Sequence, residues 1–414
     1  MLVSRSVKEG IENMTDPLNV CLEKKGGYDL PDSPGSVGWV KPQRLLLADS
    51  SNPLPLDCGA TIAPVTVEYE TYGSLNAKKN NAIFILHALS GDAHAAGWDA
   101  DWEKDNRPWR RDRPGWWDSS IGPGKAFDTN RYFVVCANIL GSCYGTTGPC
   151  EINPVSGKPY GLDFPVITVD DIVRLHVRLQ DHLGIEKLLA LAGGSLGGQQ
   201  ALAWTIGYPE RVRSAIILAS SARLGAQGLA FNAVGRQAIF KDPEFKNGQY
   251  YGGKHPDGGL ELARMLGHIT YLSYESMEGK FGRRFQNGTK PCFRLNGEFS
   301  VESYLEHQGR AFVQRFDANS YLYLTRAMDY YDAADYGNGD LTAAFSAMEA
   351  KLQLISYTSD WLYPPVAARE MARAAVANFR PVSYHEINSS YGHDAFLLET
   401  EKTAPLIESF LSSL

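Results

Sequence analysis

Leu188-Leu-Ala-Leu-Ala-Gly-Gly-Ser-Leu-Gly-Gly198 is an apolar run that breaks into a glycine-flanked serine, and Gln199-Gln-Ala-Leu-Ala-Trp-Thr-Ile-Gly207 carries the chain onward. Residues 193–197 are G-x-S-x-G in the context this motif needs: a buried strand, a tight turn, then a helix. A serine at such a turn projects its hydroxyl from the end of a sheet. The glycines two positions to either side let neighbouring backbone pass without a Cβ in the way. Ser195 is therefore read as a nucleophile.

Working outward, Ala82–Leu86, Tyr132–Ala137, Leu188–Ala192 and Ala215–Ala219 are continuous apolar runs of strand length, as expected for a parallel sheet covered on both faces. Val65–Tyr72 alternates apolar and polar residues and predicts a half-buried strand. Val169–Leu183 has helical periodicity and stops at Gly184. Strand, helix, strand–serine–helix, strand is a right-handed crossover series, so the class is α/β with a mostly parallel central sheet flanked by helices. After Ser220-Ser221 the texture changes. Arg, Tyr, Gln and Gly become frequent, and apolar residues recur at helical spacing, as in Glu261–Tyr271. This predicts a helical insertion over 222–345. The sheet resumes with Leu352–Tyr357 and Val382–Ile387, and a last helix passes through Ala404–Leu411. The expected organisation is a core of 41–221 and 346–414, an insertion between, and a loosely ordered extension over 1–40.

A chain of 414 residues with a formal net charge of −7 has no basic field for a nucleic acid. No apolar stretch approaches bilayer-spanning length, and the first ten residues lack the apolar segment of a secretory signal. The six cysteines form no C-x-x-C pair and read as buried thiols of a reducing compartment, so the cytoplasm is expected. His87 and His94 share a loop without a third ligand, and no metal is expected.

A serine hydroxyl needs a base, and the base needs a group that fixes its tautomer. On an α/β scaffold these follow the serine as acid, then histidine, on loops after late strands. Asp360 lies just past Leu352–Tyr357. His393 lies just past Val382–Ile387 and follows Gly392, whereas His385 falls inside the strand pattern. The oxyanion of an acyl-transfer intermediate needs two aimed amides. One belongs to Leu196, directly after the serine. The other is assigned to Leu89 in the loop His87–His94, with Ser90 as the alternative.

Six blocks carry a resemblance: His87-Ala-Leu-Ser-Gly-Asp-Ala-His94, Gly115-Trp-Trp-Asp118, Ile121-Gly-Pro-Gly-Lys-Ala126, Asn138–Pro149, Gly193-Gly-Ser-Leu-Gly-Gly198 and Tyr391-Gly-His-Asp-Ala-Phe396. In this order, over about residues 40–411, the chain resembles the homoserine O-acetyltransferase family of α/β-hydrolase-fold amino-acid O-acyltransferases. The resemblance implies an α/β-hydrolase fold whose inserted helices form a lid and join a homodimer. It implies Ser195, Asp360 and His393 as the triad. Arg264 would hold the acceptor α-carboxylate, Tyr271 would line the same pocket, and Asp394 would pair with the α-amine. A zwitterion suits that pairing of guanidinium and carboxylate. The implied reaction is ping-pong transfer from acetyl-CoA to L-homoserine in methionine biosynthesis, with no bound cofactor. Succinyl-CoA as donor, serine as acceptor, and simple ester hydrolysis stand as alternatives. Arg107, Arg110, Arg111 and Arg113, interleaved with Trp109, Trp116 and Trp117, read as a solvated loop face in preference to a seat for the coenzyme A phosphates. Asn138–Pro149 reads as a structural loop packed under the site.

Overall fold

The structure is a computed structural model that describes residues 29–414 apart from Asn296. Cys21 and most of the expected extension lie outside the described residues. Its far end is not loose: Trp39–Val40 pairs in parallel with Trp98–Asp99.

Eight strands form one sheet: β1 (Gln43–Ala48), β2 (Val65–Tyr72), β3 (Ala82–Leu86), β4 (Phe133–Ala137), β5 (Ala190–Gly194), β6 (Ser214–Leu218), β7 (Lys351–Tyr357) and β8 (Val382–Ile387), in the order β1-β2-β4-β3-β5-β6-β7-β8. β2 runs antiparallel to both of its neighbours, and every other pairing is parallel. Alternation along the central strands explains the continuous apolar runs. Phe84, Leu86, Val135, Ala137 and Leu191 enter one core layer. Ile83, Ile85, Val134, Cys136, Ala190 and Ala192 enter the other.

α1 (Val169–His182) starts at a capping box in which Thr168 and Asp171 satisfy each other's backbone. α2 (Leu196–Gly207) follows β5. The serine strand sits two residues later than expected, because Gly193 and Gly194 still pair with Ile217 and Leu218 while Leu188 makes only an isolated bridge to Val212. Between β6 and β7 lie α3 (Ala226–Phe240), α4 (Asp257–Tyr271), α5 (Tyr274–Lys280), α6 (Ser300–Val313), α7 (Ala318–Tyr330) and the short α8 (Leu341–Phe345). α4 packs against both α3 and α6. α9 (Pro365–Ala377) and α10 (Thr400–Ser412) complete the chain.

The cysteine expectation needs correcting. Cys136 is buried in β4, but Cys58 and Cys292 are exposed and Cys143 and Cys150 are half-buried on loops. Thiols in loops take the exposure of the loop, which an apolar pattern does not report. Among the described residues no helix is long and apolar enough to cross a membrane.

Candidate active site

Ser195 stands between β5 and α2 at φ 57°, ψ −125°, a backbone state that costs a non-glycine residue about 1–3 kcal/mol. Close packing around the turn enforces it. A Cβ on Gly197 would lie 2.0 Å from the Leu86 carbonyl oxygen, and one on Gly193 would lie 2.6 Å from the Gly197 carbonyl carbon. Only glycine fits at either position. The Ser195 amide donates to the Leu218 carbonyl at 3.1 Å, which fixes the turn to β6. Leu196 begins α2, so its amide is one of those a helix start leaves without an intrahelical partner.

Asp360 follows β7 and is buried. Its Oδ1 accepts the amides of Leu362 at 3.0 Å and Tyr363 at 2.8 Å, leaving Oδ2 to face His393 Nδ1 at 2.8 Å. With Nδ1 donating to that carboxylate, Nε2 is the nitrogen free to take a proton. Gly392 has φ +72°, and a Cβ there would meet the Ser273 amide nitrogen at 2.5 Å. The histidine loop thus presses on the segment that links α4 to α5. The Gly392 amide also donates to Ser359 Oγ at 2.9 Å, tying the two late loops together. Tyr363 stacks on the His393 ring with centroids 5.0 Å apart.

One pocket is lined by Ser195, His393, Ala88, Leu89, Ser90, Trp116, Arg264, His268, Tyr271 and Asp394, among others. A second chamber shares Leu89, Ser195 and Tyr271 with it, and its other lining residues include Asn232, Tyr321, Met328, Leu362 and Tyr363. The residues expected from the motifs and those implied by the resemblance therefore meet at one place, apart from Asp360, which stands behind His393, and Leu196, which follows Ser195 into α2. Arg264 is buried. It reaches Ser90 Oγ with Nη1 at 3.4 Å and stacks on Tyr271 and Phe312 at 5.6 and 4.5 Å. Burial pushes the Tyr271 phenol up, opposed by Arg264. Burial, reinforced by Arg264 and Arg315, holds His268 well below the usual imidazole range.

The arginine cluster is not a solvated face. Arg107 donates to both oxygens of Glu68 at 2.6 and 2.8 Å, and Arg110 bridges Asp92 at 2.6 Å and Asp99 at 2.8 Å. Both arginines are buried, whereas Arg111 is exposed. Their partners come from β2, from the short strand Trp98–Asp99 and from the loop holding Asp92, which a local charge run does not reveal. Burial alone would raise the Asp92 carboxyl, but Arg110 and then His94 outweigh it and hold it at about 2. His94 pairs with Glu70 at 3.0 Å, and His87 Nε2 accepts the Ile139 amide at 3.2 Å. Among the described residues no group of three or more His, Cys, Asp or Glu is placed to hold a metal ion. Asn138–Pro149 does pack beneath this region: Thr146 and Thr147 hydroxyls accept the Glu68 and Thr66 amides.

Arg315 and Tyr363 had no sequence signal, because their contacts cross from the inserted helices or a late loop to the core. Trp116 stands in the block Gly115-Trp-Trp-Asp118 and beside the basic cluster, and neither pattern gives it a role of its own.

The sheet order, the serine elbow and the late acid and histidine loops define an α/β-hydrolase-fold protein, and the α/β hydrolase fold family profile matches residues 81–400. A homoserine O-acetyltransferase of Methanohalobium evestigatum is 53% identical over 87% of this chain and 71% of its own length. A homoserine O-succinyltransferase of Acidithiobacillus ferrooxidans is 49% identical over 91% of this chain and 96% of its own. Among solved structures, homoserine O-acetyltransferase from Bacillus anthracis superposes with a TM-score of 0.82 at 31% identity, covering 90% of this chain and 97% of that one. Esterase E22 gives 0.80 at 30% identity, covering 90% and 100%. The chain belongs to the homoserine O-acetyltransferase family.

Proposed function

We propose that the protein is a homoserine O-acetyltransferase, an acyltransferase of methionine biosynthesis. It moves an acetyl group from acetyl-CoA to the L-homoserine hydroxyl through an acyl-serine intermediate. The observation that carries this reading is the meeting of two sets of groups in one pocket: Ser195 with His393, and a buried Arg264 with Asp394.

Ser195 Oγ attacks the thioester carbonyl while His393 Nε2 takes its proton. Asp360 holds the imidazole and stabilises its charged form. The Leu89 and Leu196 amides bind the oxyanion. Collapse breaks the carbon–sulfur bond, and His393 returns the proton to the leaving thiolate. Homoserine then enters with its carboxylate on Arg264 and its ammonium on Asp394, and Tyr271 bounds the site. His393 takes the proton from the homoserine hydroxyl, which attacks the acyl-enzyme carbonyl; the bond to Ser195 Oγ then breaks and His393 returns the proton to that oxygen. The helices of 222–345 act as a lid on the core of 41–221 and 346–414, limiting water that would hydrolyse the acyl-enzyme. Among the described residues no cation lines the second chamber beside Ser195, which favours an acetyl over a succinyl group there.

Leu229, Val234, Leu262 and Ile269 are exposed apolar residues on α3 and α4 and support a homodimer joined through these helices. Sedimentation at micromolar concentration checks that part, and a monomer would refute it. The reading extends to the cytoplasm, in keeping with the five described cysteines all being free thiols.

Free thiol release from acetyl- and succinyl-CoA against homoserine, serine and no acceptor tests the whole. Acetyl-CoA with homoserine is expected to dominate. Equal release without any acceptor would make the protein a hydrolase. Mass spectrometry with acetyl-CoA alone is expected to find the acyl group on the Ser195 peptide.

A further inference from the structure

The Leu89 amide sits in a turn held from two sides: His87 Nδ1 of the core lies 2.8 Å from the Ala88 carbonyl oxygen, which shares a peptide plane with that amide. Gly91 N donates to the Ala88 carbonyl at 3.0 Å, closing a turn over Leu89 and Ser90. From the inserted helices, Arg315 in the link between α6 and α7 donates through Nη1 to the Ser90 carbonyl at 3.0 Å and to the Tyr144 hydroxyl at 2.8 Å. The Tyr144 carbonyl in turn accepts Arg107 Nη2 at 3.2 Å, and Arg107 is locked on Glu68 of β2. Arg315 also stacks on Phe312 at 5.1 Å, the same ring that carries Arg264. One guanidinium thus spans the insertion, the turn and the loop beneath.

We propose that Arg315 is a positioning residue that sets the Leu89 amide for the oxyanion, so that both half-reactions depend on an inserted residue that touches neither substrate. The physical reason is rigidity. The Ser90 carbonyl shares a peptide unit with the Gly91 amide, and that amide bonds the Ala88 carbonyl in the plane of the Leu89 N–H; a charged donor there resists rotation of the turn, and an oxyanion donor is worth its full effect only when it is already aimed. The inference rests on the reading of Leu89 as an oxyanion donor, and the test separates the two.

Arg315→Met keeps an aliphatic stem against Phe312 and removes the hydrogen bonds to Ser90 and Tyr144. Single-turnover loading of Ser195 and the transfer step are both expected to slow by roughly 10–100-fold, as misplacement of a catalytic group does. KM for acyl-CoA and for homoserine should stay unchanged. Arg315→Lys, which retains a cationic donor, should recover part of the rate and serves if the methionine variant folds poorly. Leu89→Pro removes the amide itself. Neither Leu89 nor Ser90 has a positive φ, so position 89 is the second residue of a turn that accepts proline. That change should slow loading by about 10²–10³-fold.

The decisive measurement is the double variant. If Arg315 acts through the Leu89 amide, Arg315→Met adds little once that amide is gone, whereas a merely structural arginine multiplies the loss. Multiplicative losses, a raised KM for acyl-CoA, or damage confined to transfer would overturn the Arg315 role and leave the oxyanion reading standing. Normal loading in Leu89→Pro would remove the oxyanion reading and the inference with it.

Discussion

The two walls of the pocket are built by different means. The wall made from strand ends holds Ser195, Leu196, Asp360 and His393 through backbone: a strained turn, glycines in contact with carbonyls, and an aspartate fixed by two amides. The wall made from inserted helices holds Arg264 and Tyr271 through side chains stacked on one another and on Phe312. Backbone scaffolding holds these groups through contacts that a Cβ at Gly193 or Gly197 would disturb. Stacked side chains keep a charge buried while leaving its identity open to change. The first suits chemistry common to every acyl donor, and the second suits recognition of one acceptor.

Removing the nucleophile should break the first wall's function entirely. Ser195→Ala is expected to lower kcat by on the order of 10⁶, with the urea midpoint close to that of the unmodified protein. An acyl adduct persisting on another residue would disprove the assignment. Arg264→Ala addresses the second wall. Loading of Ser195 from acyl-CoA should stay near its original rate while transfer to homoserine loses roughly 2–5 kcal/mol of transition-state stabilisation. Stopped-flow loading beside steady-state transfer reads the difference, and equal damage to both would erase the distinction between the walls. Asp394→Asn should follow the same pattern.

A smaller effect sharpens the backbone side. Gly197→Ala puts a methyl 2.0 Å from the Leu86 oxygen and should cost roughly 1–3 kcal/mol or more in denaturant unfolding. Gly279 lies within α5 with nothing within 4 Å of a new Cβ, so Gly279→Ala should instead stabilise by about 0.5–1 kcal/mol. A further effect concerns the ion pairs beneath the oxyanion turn. The Asp92 carboxyl sits at about 2, below its ordinary 3.8. A depressed folded value means its contribution is fully present above the unfolded value and is lost as pH falls through the folded one. Stability of the native protein should thus decline between about pH 4 and 2 more steeply than that of Asp92→Asn. Parallel acid-unfolding curves would count against the pairing.

How far the sequence could be read follows the same division. G-x-S-x-G, the apolar runs and the order acid-then-histidine are local signals, because strand, turn and helix are short-range structures with fixed periods and fixed turn chemistry. They named Ser195, Asp360 and His393, and the structure brings His393 to Asp360 and Ser195 to the same pocket. Arg264 and Asp394 were named only through the family's motifs. A buried arginine and a solvent-facing one look alike in a helix pattern.

What the sequence alone determined is the strand and helix segments, the serine elbow and the change of texture after Ser220-Ser221, since each depends on neighbours within a few residues. Tertiary structure alone decided that Arg107 and Arg110 are buried ion-pair partners of Glu68, Asp92 and Asp99, and that Arg315 reaches the Ser90 carbonyl. A charge is hidden or solvated according to what folds against it. Those partners lie from 11 to 225 residues away, beyond the reach of any local pattern.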